Sequence, residues 1–391
     1  MLKKIIFLLI IFILLGYLID LLSHKYQTDN YKYQSDNGNL RMSKYPEYLT
    51  EVNYLEDFRD QNIFYESYQE NELLYVKEKF ESLNQNPDSI RNDILREYIL
   101  PEDIIKTDSF FVKKSDCYNN YQVYESSLYG IKQRGFLEGN SSNNLLIYFQ
   151  GHGGNPCDFS YYNRIKEKIL DSDYDILTFS MFGRGFNQMD TISFPIKVNR
   201  ESIYDNNYIF NKPNPSGSHD IIRLFYDKEN PNIKPLSLML SSPYTIINEI
   251  IGNYENVVIT GISGGAWYTT ILSGLIPEID ESYSFNGTLP LLFAIDNNAV
   301  GDFEYVYSTL WNERDYYDFY FLSLFNKNNL MNRISYHIYS ELDECCFSSP
   351  EVIYFKNVID KLNFNNLKVV IFENKVEHNI DDQWLLNKLD L

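Results

Sequence analysis

The spacing of apolar residues changes along the chain, and each spacing predicts a different kind of structure. Between Leu73 and Leu100 apolar residues recur at close to the helical period, which predicts amphipathic helices. After Asp108 apolar and polar residues alternate in short stretches separated by turns, as is typical of antiparallel strands. The predicted strands cover residues 109–113, 121–127 and 129–138.

Farther along, apolar runs without alternation predict strands that are buried on both faces. They cover 145–149, 175–180, 257–260, 334–339 and 367–372, with a further strand predicted over 282–287. Helical spacing is found at 162–170, 243–254, 266–276, 350–362 and 381–389. Buried strands that alternate with helices indicate an α/β fold, a doubly wound and mostly parallel sheet with the antiparallel strands as its lead-in.

The N-terminus carries a separate apolar segment. Lys3 and Lys4 precede the uncharged stretch 5–19, whose length lies between that of a signal-peptide core and that of a membrane-spanning helix. No small-residue cleavage site precedes Ser23, which favours an uncleaved single-pass anchor; a cleaved signal peptide and a secreted protein are the alternative. The two lysines predict a cytoplasmic N-terminus, with the rest of the chain outside the cytoplasm.

These patterns divide the chain into three parts. Residues 1–23 are the transmembrane anchor or signal segment. Residues 24–108 begin as a polar stalk and continue as a helical extension that is predicted to pack on the next part. Residues 109–391 form the α/β domain.

Charge and cysteine content narrow the function. The formal net charge of −20 argues against nucleic-acid binding, because contacts to phosphates need clustered Lys and Arg. The four cysteines, Cys117, Cys157, Cys345 and Cys346, show no spacing typical of metal ligands. We therefore predict neither a metal site nor a cofactor.

The motif Gly261-Ile262-Ser263-Gly264-Gly265 lies between the predicted strand 257–260 and the predicted helix 266–276. A G-x-S-x-G sequence at such a junction forces the serine into a strained turn, because side chains at the flanking glycines would clash with the strand and the helix. The hydroxyl of Ser263 then stands at the edge of the sheet as a nucleophile. The amide of Gly264, at the start of the helix, can stabilise a developing oxyanion.

A second glycine turn, Gly151-His152-Gly153-Gly154, follows the predicted strand 145–149. Its backbone N–H groups can face the same oxyanion, and the amide of Gly153 or Gly154 is predicted to donate alongside that of Gly264. His152 itself is predicted to orient the loop.

A serine nucleophile needs an imidazole base, and the base needs a carboxylate to orient it. In chain order the acid and then the histidine follow the serine. Of the five histidines only His378 lies past the last predicted strand; the others are His24, His152, His219 and His337. His337 falls within a predicted strand and is interpreted as a core histidine with its hydrogen bonds satisfied.

Asp343, just past the strand 334–339, is the best candidate for the acid, and Glu341 is its nearest rival. Asp296 and Asp302 are alternatives after the preceding strand.

Cys157 follows the glycine turn, and Cys345 and Cys346 follow the acid. Both loops are therefore expected at one sheet edge, where a disulfide from Cys157 to one of the adjacent cysteines is predicted; thiols at Cys345 and Cys346 are the alternative.

From about residue 112 onward the chain resembles the α/β-hydrolase superfamily, through YFQGHGGN, FSMFGRGFN, VVITGISGG, YSELD and EHN in that order. The resemblance implies an eight-stranded, mostly parallel sheet and acyl-transfer chemistry. It also implies a helical cap insertion at about 290–333, some of whose aromatic residues are expected to line a substrate pocket. The segment 188–236 has no counterpart in the pattern.

The function predicted from these residues is hydrolysis of a small-molecule carboxylic ester through an acyl-enzyme. Ser263 is the nucleophile, His378 the base and Asp343 the orienting acid. An acyltransferase that uses the same triad is one alternative. A membrane-anchored interaction module without catalysis is another, since a fold alone does not establish chemistry.

Overall fold

The computed structural model describes residues 62–101, 106–114, 117–128, 130–139, 141–187, 191–193, 197–199, 234–290, 293, 310, 314–348 and 350–391. All of them belong to one compact unit. The predicted anchor at 1–23 and the polar stalk lie outside the described residues, so the membrane topology stays a prediction. Within the described part of the chain, no helix combines the length and the apolar composition that crossing a membrane requires.

The elements follow in chain order. The helices are α1 (Asn62–Asn84), α2 (Pro87–Ile94), α3 (Ser160–Leu170), α4 (Pro235–Ile250), α5 (Gly264–Leu275), α6 (Tyr316–Leu322), α7 (Glu351–Leu362) and α8 (Asp382–Lys388). The strands are β1 (Lys106–Lys114), β2 (Asn119–Leu128), β3 (Ile131–Glu138), β4 (Asn144–Phe149), β5 (Asp175–Phe179), β6 (Thr191–Ser193), β7 (Lys197–Asn199), β8 (Asn256–Ile262), β9 (Glu281–Phe285), β10 (Ile334–Ser340) and β11 (Leu367–Phe372).

The main sheet has the strand order β1-β2-β3-β5-β4-β8-β9-β10-β11. The pairs from β1 to β3 and the pair β3–β5 are antiparallel, and every later pair is parallel. The predicted α/β class and the mostly parallel sheet are thus confirmed. The expected number of eight strands is wrong, because β1 pairs with β2 along almost its whole length and adds a ninth strand at the edge.

Helices cover both faces of the sheet, as a doubly wound fold requires. Tyr148 and Phe149 are consecutive residues of β4, so their side chains point to opposite faces. The ring of Tyr148 lies 4.6 Å from that of Tyr162 in α3, and the ring of Phe149 stacks at 5.1 Å on Tyr268 in α5. Both strand residues are fully buried, which explains why this run does not alternate.

Polar contacts fix the helices that precede the sheet, α1 and α2, to the helices α5 and α6. Lys79 of α1 places its ammonium 3.2 Å from Asp315 and 3.0 Å from Asp318, at the N-terminus of α6. Arg91 of α2 donates to the carbonyl oxygens of Gly274 at 3.0 Å and Leu322 at 2.7 Å, near the C-termini of α5 and α6. Cations at helix C-termini and carboxylates at helix N-termini are both favourable placements.

Most of the described aromatic residues in the predicted cap belong to the core. All residues of α6 are buried, and the helix packs against α1 and α5. The spacing of Tyr317, Tyr320 and Phe321 is that of one buried helical stripe, and all three are buried in α6, as are Tyr316 and Phe319. Other cap aromatics lie outside the described residues: Phe303, Tyr305, Tyr307 and Trp311.

The cysteine pairing differs from the prediction. Cys117 bonds to Cys157 and Cys345 bonds to its neighbour Cys346. The prediction assigned no partner to Cys117, whose Cα lies 5.7 Å from that of Cys157, a normal disulfide separation. The predicted bridge between the two loops is therefore wrong.

His337 lies in β10 and is buried, as predicted, but its hydrogen bonds are not satisfied. Neither of its ring nitrogens has a hydrogen-bond partner among the described residues. Its ring lies 4.3 Å from that of Tyr320 and 6.1 Å from that of Phe355. Burial away from water lowers the pKa of His337 to about 3, so the folded protein holds this imidazole neutral.

This burial predicts an acid-sensitive component of stability. Between the ordinary pKa of about 6.5 and about 3, the unfolded chain takes up a proton at this histidine and the folded chain does not. Stability should therefore fall as the pH drops below about 6.5, by about 1.4 kcal/mol per pH unit from this group. His337→Leu should show a flatter dependence in urea unfolding between about pH 7.5 and 5. Parallel curves for the two proteins would contradict the assignment.

Candidate active site

Ser263 occupies a strained turn between β8 and α5. Its φ of 56° and ψ of −127° are unusual for a residue with a side chain. Its N–H donates to the carbonyl of Phe285 at 2.9 Å. Its own carbonyl accepts the N–H groups of Ala266 at 2.9 Å and Trp267 at 3.1 Å. Backbone hydrogen bonds to β9 on one side and to α5 on the other therefore hold the turn.

The glycines of the motif are required by close packing. A side chain at Gly261 would lie 2.5 Å from the carbonyl oxygen of Gly265. A side chain at Gly265 would collide with the backbone carbonyl of Phe149 at the end of β4. Since both obstacles are backbone atoms, which cannot turn aside, the helix can start this close to the strands only with glycine at both positions.

His378 and Asp343 are in contact. Nδ1 of His378 lies 2.7 Å from Oδ2 of Asp343. The other oxygen, Oδ1, accepts the backbone N–H groups of Cys345 at 2.7 Å and Cys346 at 3.1 Å. The Asp343 side chain is fully buried, whereas that of His378 is 18% exposed.

These contacts keep Asp343 ionised. Burial by itself raises the pKa of Asp343, because a carboxylate loses hydration in the interior. The hydrogen bond and the charge of His378, followed by the amides of Cys345 and Cys346, outweigh burial and hold the pKa below its usual range. A negative charge facing Nδ1 fixes the tautomer with the proton on Nδ1, which leaves Nε2 as the basic atom.

The parallel strands β10 and β11 bring the two loops together. Their C-terminal ends are neighbours, and the pairing continues into the loops: Leu342 N–H donates to Lys375 at 2.9 Å and Glu344 N–H donates to Val376 at 3.2 Å. The hydroxyl of Ser340 donates to the carbonyl of Glu377 at 2.9 Å, directly before His378.

Of the alternative acids, Glu341 is engaged elsewhere. Its Oε2 accepts the backbone N–H of Asn374 at 2.8 Å, in the tight turn after β11. Asp296 and Asp302 lie outside the described residues. Among the described carboxylates it is Asp343 that hydrogen-bonds His378.

The glycine turn after β4 lies against the serine turn. A Cβ at Gly151 would be 2.9 Å from Cβ of Ser263 and 2.7 Å from the carbonyl oxygen of Ile262. A Cβ at Gly264 would meet the side chain of Met181 and, at 2.6 Å, Cε1 of His152. Met181 was not predicted as a neighbour of the site, and Gly151 was predicted only as part of the glycine turn. The feature of the sequence that indicates close packing at Gly151 is its place as the first glycine after a buried strand.

The two predicted donors, Gly153 and Gly154, follow His152 in the same turn. Gly153 faces the ring of Phe159. Gly154 has a φ of 110°, and its carbonyl accepts the hydroxyl of Ser180 at 3.5 Å. Gly264 is buried at the first position of α5. The structure therefore brings the turn beside Ser263 through Gly151 and His152.

Nε2 of His378 is buried and has no hydrogen-bond partner among the described residues. The structure thus joins His378 to Asp343 through the first ring nitrogen. Hydrogen bonds between base and nucleophile are often long in ligand-free enzymes and shorten when substrate binds. Of the other histidines, His24 and His219 lie outside the described residues.

Asp343, Cys345 and His378 offer three atoms of metal-ligand type within 4.8 Å of one another. A cysteine binds metal as a thiolate, and the sulfur of Cys345 is bonded to that of Cys346. With the disulfide formed, only Asp343 and His378 could act as ordinary metal ligands, and these two side chains already hydrogen-bond each other.

Several solved structures are similar to this chain. Acetyl xylan esterase 1 from Thermoanaerobacterium sp. JW/SL YS485 is 15% identical, with 78% of this chain and 92% of that chain covered and a TM-score of 0.44. The esterase Pf2001 from Pyrococcus furiosus is 11% identical, with coverage of 74% and 93% and a TM-score of 0.38. Est1E from Butyrivibrio proteoclasticus is 10% identical, with coverage of 69% and 99% and a TM-score of 0.40.

No family model matches the sequence, and no curated protein matches it. The resemblance of the sequence to the α/β-hydrolase superfamily rests on features of this chain itself. In this chain the observations that agree with it are the doubly wound sheet and the strand–turn–helix at Ser263.

The packing of Gly151 predicts a stability difference between two matched substitutions. Gly151→Ala should destabilise the protein by about 1–3 kcal/mol, because the added methyl group meets a backbone carbonyl and the serine turn. Gly252→Ala is the control, since nothing lies within 4 Å of that position. Both changes restrict the unfolded chain equally. Urea unfolding should separate them, and equal stability of the two variants would contradict the packing argument.

Proposed function

We propose that this protein is a serine hydrolase that cleaves carboxylic esters of small molecules through an acyl-enzyme. The observation that carries the proposal is the hydrogen bond between His378 and Asp343, on loops that follow neighbouring strands. It completes the order serine, acid, histidine on a fold that presents Ser263 in a strained strand-to-helix turn.

In the proposed reaction Oγ of Ser263 attacks the ester carbonyl carbon, and Nε2 of His378 takes the hydroxyl proton. Asp343 holds the imidazole in the required tautomer and stabilises the imidazolium that forms. The tetrahedral intermediate then collapses, the C–O bond to the alcohol breaks, and His378 returns the proton to the leaving oxygen. Water attacks the acyl-enzyme by the same route, with His378 as its base, and releases the acid.

The negative charge on the intermediate needs hydrogen-bond donors. We propose the amide of Gly264, which lies at the N-terminus of α5, together with that of Gly153 or Gly154. The helix N-terminus adds a favourable field at the same oxygen. Removing one such donor in serine hydrolases costs on the order of a hundred- to a thousandfold in rate.

The nucleophile is tested with Ser263→Ala. Turnover of p-nitrophenyl acetate and labelling by a fluorophosphonate probe should both disappear, because the loss of the nucleophile costs on the order of 10⁶ in rate. Ser273→Ala is a control on the same helix; that hydroxyl donates to the carbonyl of Thr270 at 3.1 Å, so labelling should persist. Circular dichroism checks the fold of both variants. A labelled Ser263→Ala protein would overturn the proposal.

The acid is tested with two matched amide substitutions. Asp343→Asn should lower kcat by roughly 10⁴, because an amide facing Nδ1 favours the wrong imidazole tautomer. Glu341→Gln should change it by less than about threefold, since an amide oxygen still accepts the N–H of Asn374. Steady-state kinetics on the same ester gives both values. A larger loss in Glu341→Gln than in Asp343→Asn would exchange the two assignments.

A further inference from the structure

The two backbone amides that hold Oδ1 of Asp343 belong to adjacent cysteines joined by a disulfide. Cys345 N–H donates at 2.7 Å and Cys346 N–H at 3.1 Å to the same oxygen. The sulfur–sulfur bond closes a small ring through the peptide bond between the two residues. Neither cysteine was predicted to take part in the site through its backbone.

We propose that the Cys345–Cys346 disulfide is a redox-controlled positioning element for Asp343, and that a dithiol reductant lowers catalysis by opening it. The inference rests on the proposed function, since it concerns the acid of the same triad. The cysteines contact neither substrate nor reacting atoms in this scheme. They act through the carboxylate.

Ring closure matters because two consecutive N–H groups must point at one oxygen. A chain of single bonds has several backbone conformations for such a turn, and a ring across the peptide removes most of them. With the bond open, the turn gains conformations in which one or both amides point away. Asp343 is fully buried, so water does not simply replace the lost donors.

The loss of these donors reaches His378 through the shared carboxylate. The same side chain accepts from the amides with Oδ1 and contacts Nδ1 of His378 with Oδ2 at 2.7 Å. Without the amide hydrogen bonds to Oδ1, the carboxylate of Asp343 can rotate, and the imidazole of His378 then loses its orientation. Catalysis depends on this geometry far more than substrate binding does.

The bond is open to a reductant. Cys345 is exposed and Cys346 is half-buried. A dithiol attacks one sulfur as its thiolate, the sulfur–sulfur bond breaks, and a mixed disulfide forms. The second thiol of the reagent then displaces the protein sulfur. The protein gains two electrons and two protons as a pair of thiols, and the reagent leaves as its own disulfide.

The test uses the full chain purified without reductant. Peptide mapping should first find Cys345 and Cys346 in one bridge. Equilibration in graded mixtures of reduced and oxidised dithiothreitol should then lower kcat by roughly ten- to a hundredfold, with KM changed less than about threefold. Reoxidation should restore kcat. Differential alkylation measures the reduced fraction of each disulfide. The decrease in kcat should follow the fraction of molecules in which Cys345–Cys346 is open.

Paired variants assign the response to one bridge. The double variant Cys117→Ser with Cys157→Ser removes the other disulfide and should keep the redox response. Cys345→Ser with Cys346→Ser should be slow under all conditions and insensitive to dithiothreitol. If either variant fails to fold, the alkylation record of the wild-type protein still decides which bridge governs kcat.

The variant Asp343→Asn tests whether reduction acts through the position of Asp343 or through a general loosening of the fold. Its residual activity should be insensitive to dithiothreitol within about twofold, because the carboxylate that the ring positions is already gone. If dithiothreitol lowered the kcat of Asp343→Asn by the same factor as that of wild type, the proposal would be overturned. It would also be overturned if wild-type kcat stayed unchanged with the bridge fully open, or if Cys345 and Cys346 were both thiols in the oxidised protein. Activity that survives Ser263→Ala would instead overturn the proposed function.

Discussion

A buried carboxylate with three hydrogen-bond donors is the constraint around which the site is arranged. Asp343 is fully enclosed and its pKa is nevertheless held below the usual range. Burying an ionised carboxyl group without partners costs many kcal/mol, so the charge persists only while His378 and the two loop amides remain in place. The shape of the loop after β10 follows from this requirement: the chain must turn back on itself to aim two successive N–H groups at one oxygen.

Hydrogen bonds at the strand ends also connect the loops of Asp343 and His378 to the turn at Ser263. Phe285, at the end of β9, accepts the N–H of Ser263. The next residue, Asn286, donates its N–H to Ile338 at 2.8 Å and accepts the N–H of Ser340 with its side chain at 2.9 Å. Ser340 in turn holds the carbonyl before His378. These hydrogen bonds thus run across three strand ends, from Ser263 to the residue before His378.

Much of this arrangement could be predicted from the sequence because it depends on local patterns. Strands buried on both faces appear as unbroken apolar runs, and the strand-to-helix turn requires glycines at fixed positions around Ser263. His378 was selected by elimination among the histidines, and Asp343 by its place after the strand 334–339. This reasoning suits a parallel sheet, whose loops gather at one edge. Residue patterns also indicated the lead-in strand that became β1, whereas the family resemblance implied one strand fewer.

The parts that could not be predicted depend on partners distant in sequence. Cys117 meets Cys157 only because β2 and the loop after β4 fold together. Pro243 was interpreted as a helix start, which is where proline is favoured, yet α4 begins at Pro235 and carries Pro243 in its interior. The spacing of Tyr317, Tyr320 and Phe321 indicates a buried helix face, but it does not show that α1 and α5 are the helices that cover it.

The two halves of the site differ in what holds them. Ser263 is fixed by backbone bonds to Phe285, Ala266 and Trp267, and the first turn of α5 beyond it is completely buried. The strain of its positive φ is therefore offset by contacts inside the core. Asp343 depends instead on a surface turn in which Cys345 is exposed. Solvent conditions that leave the turn at Ser263 unchanged can consequently alter Asp343, so we expect control of the proposed site at the loop after β10.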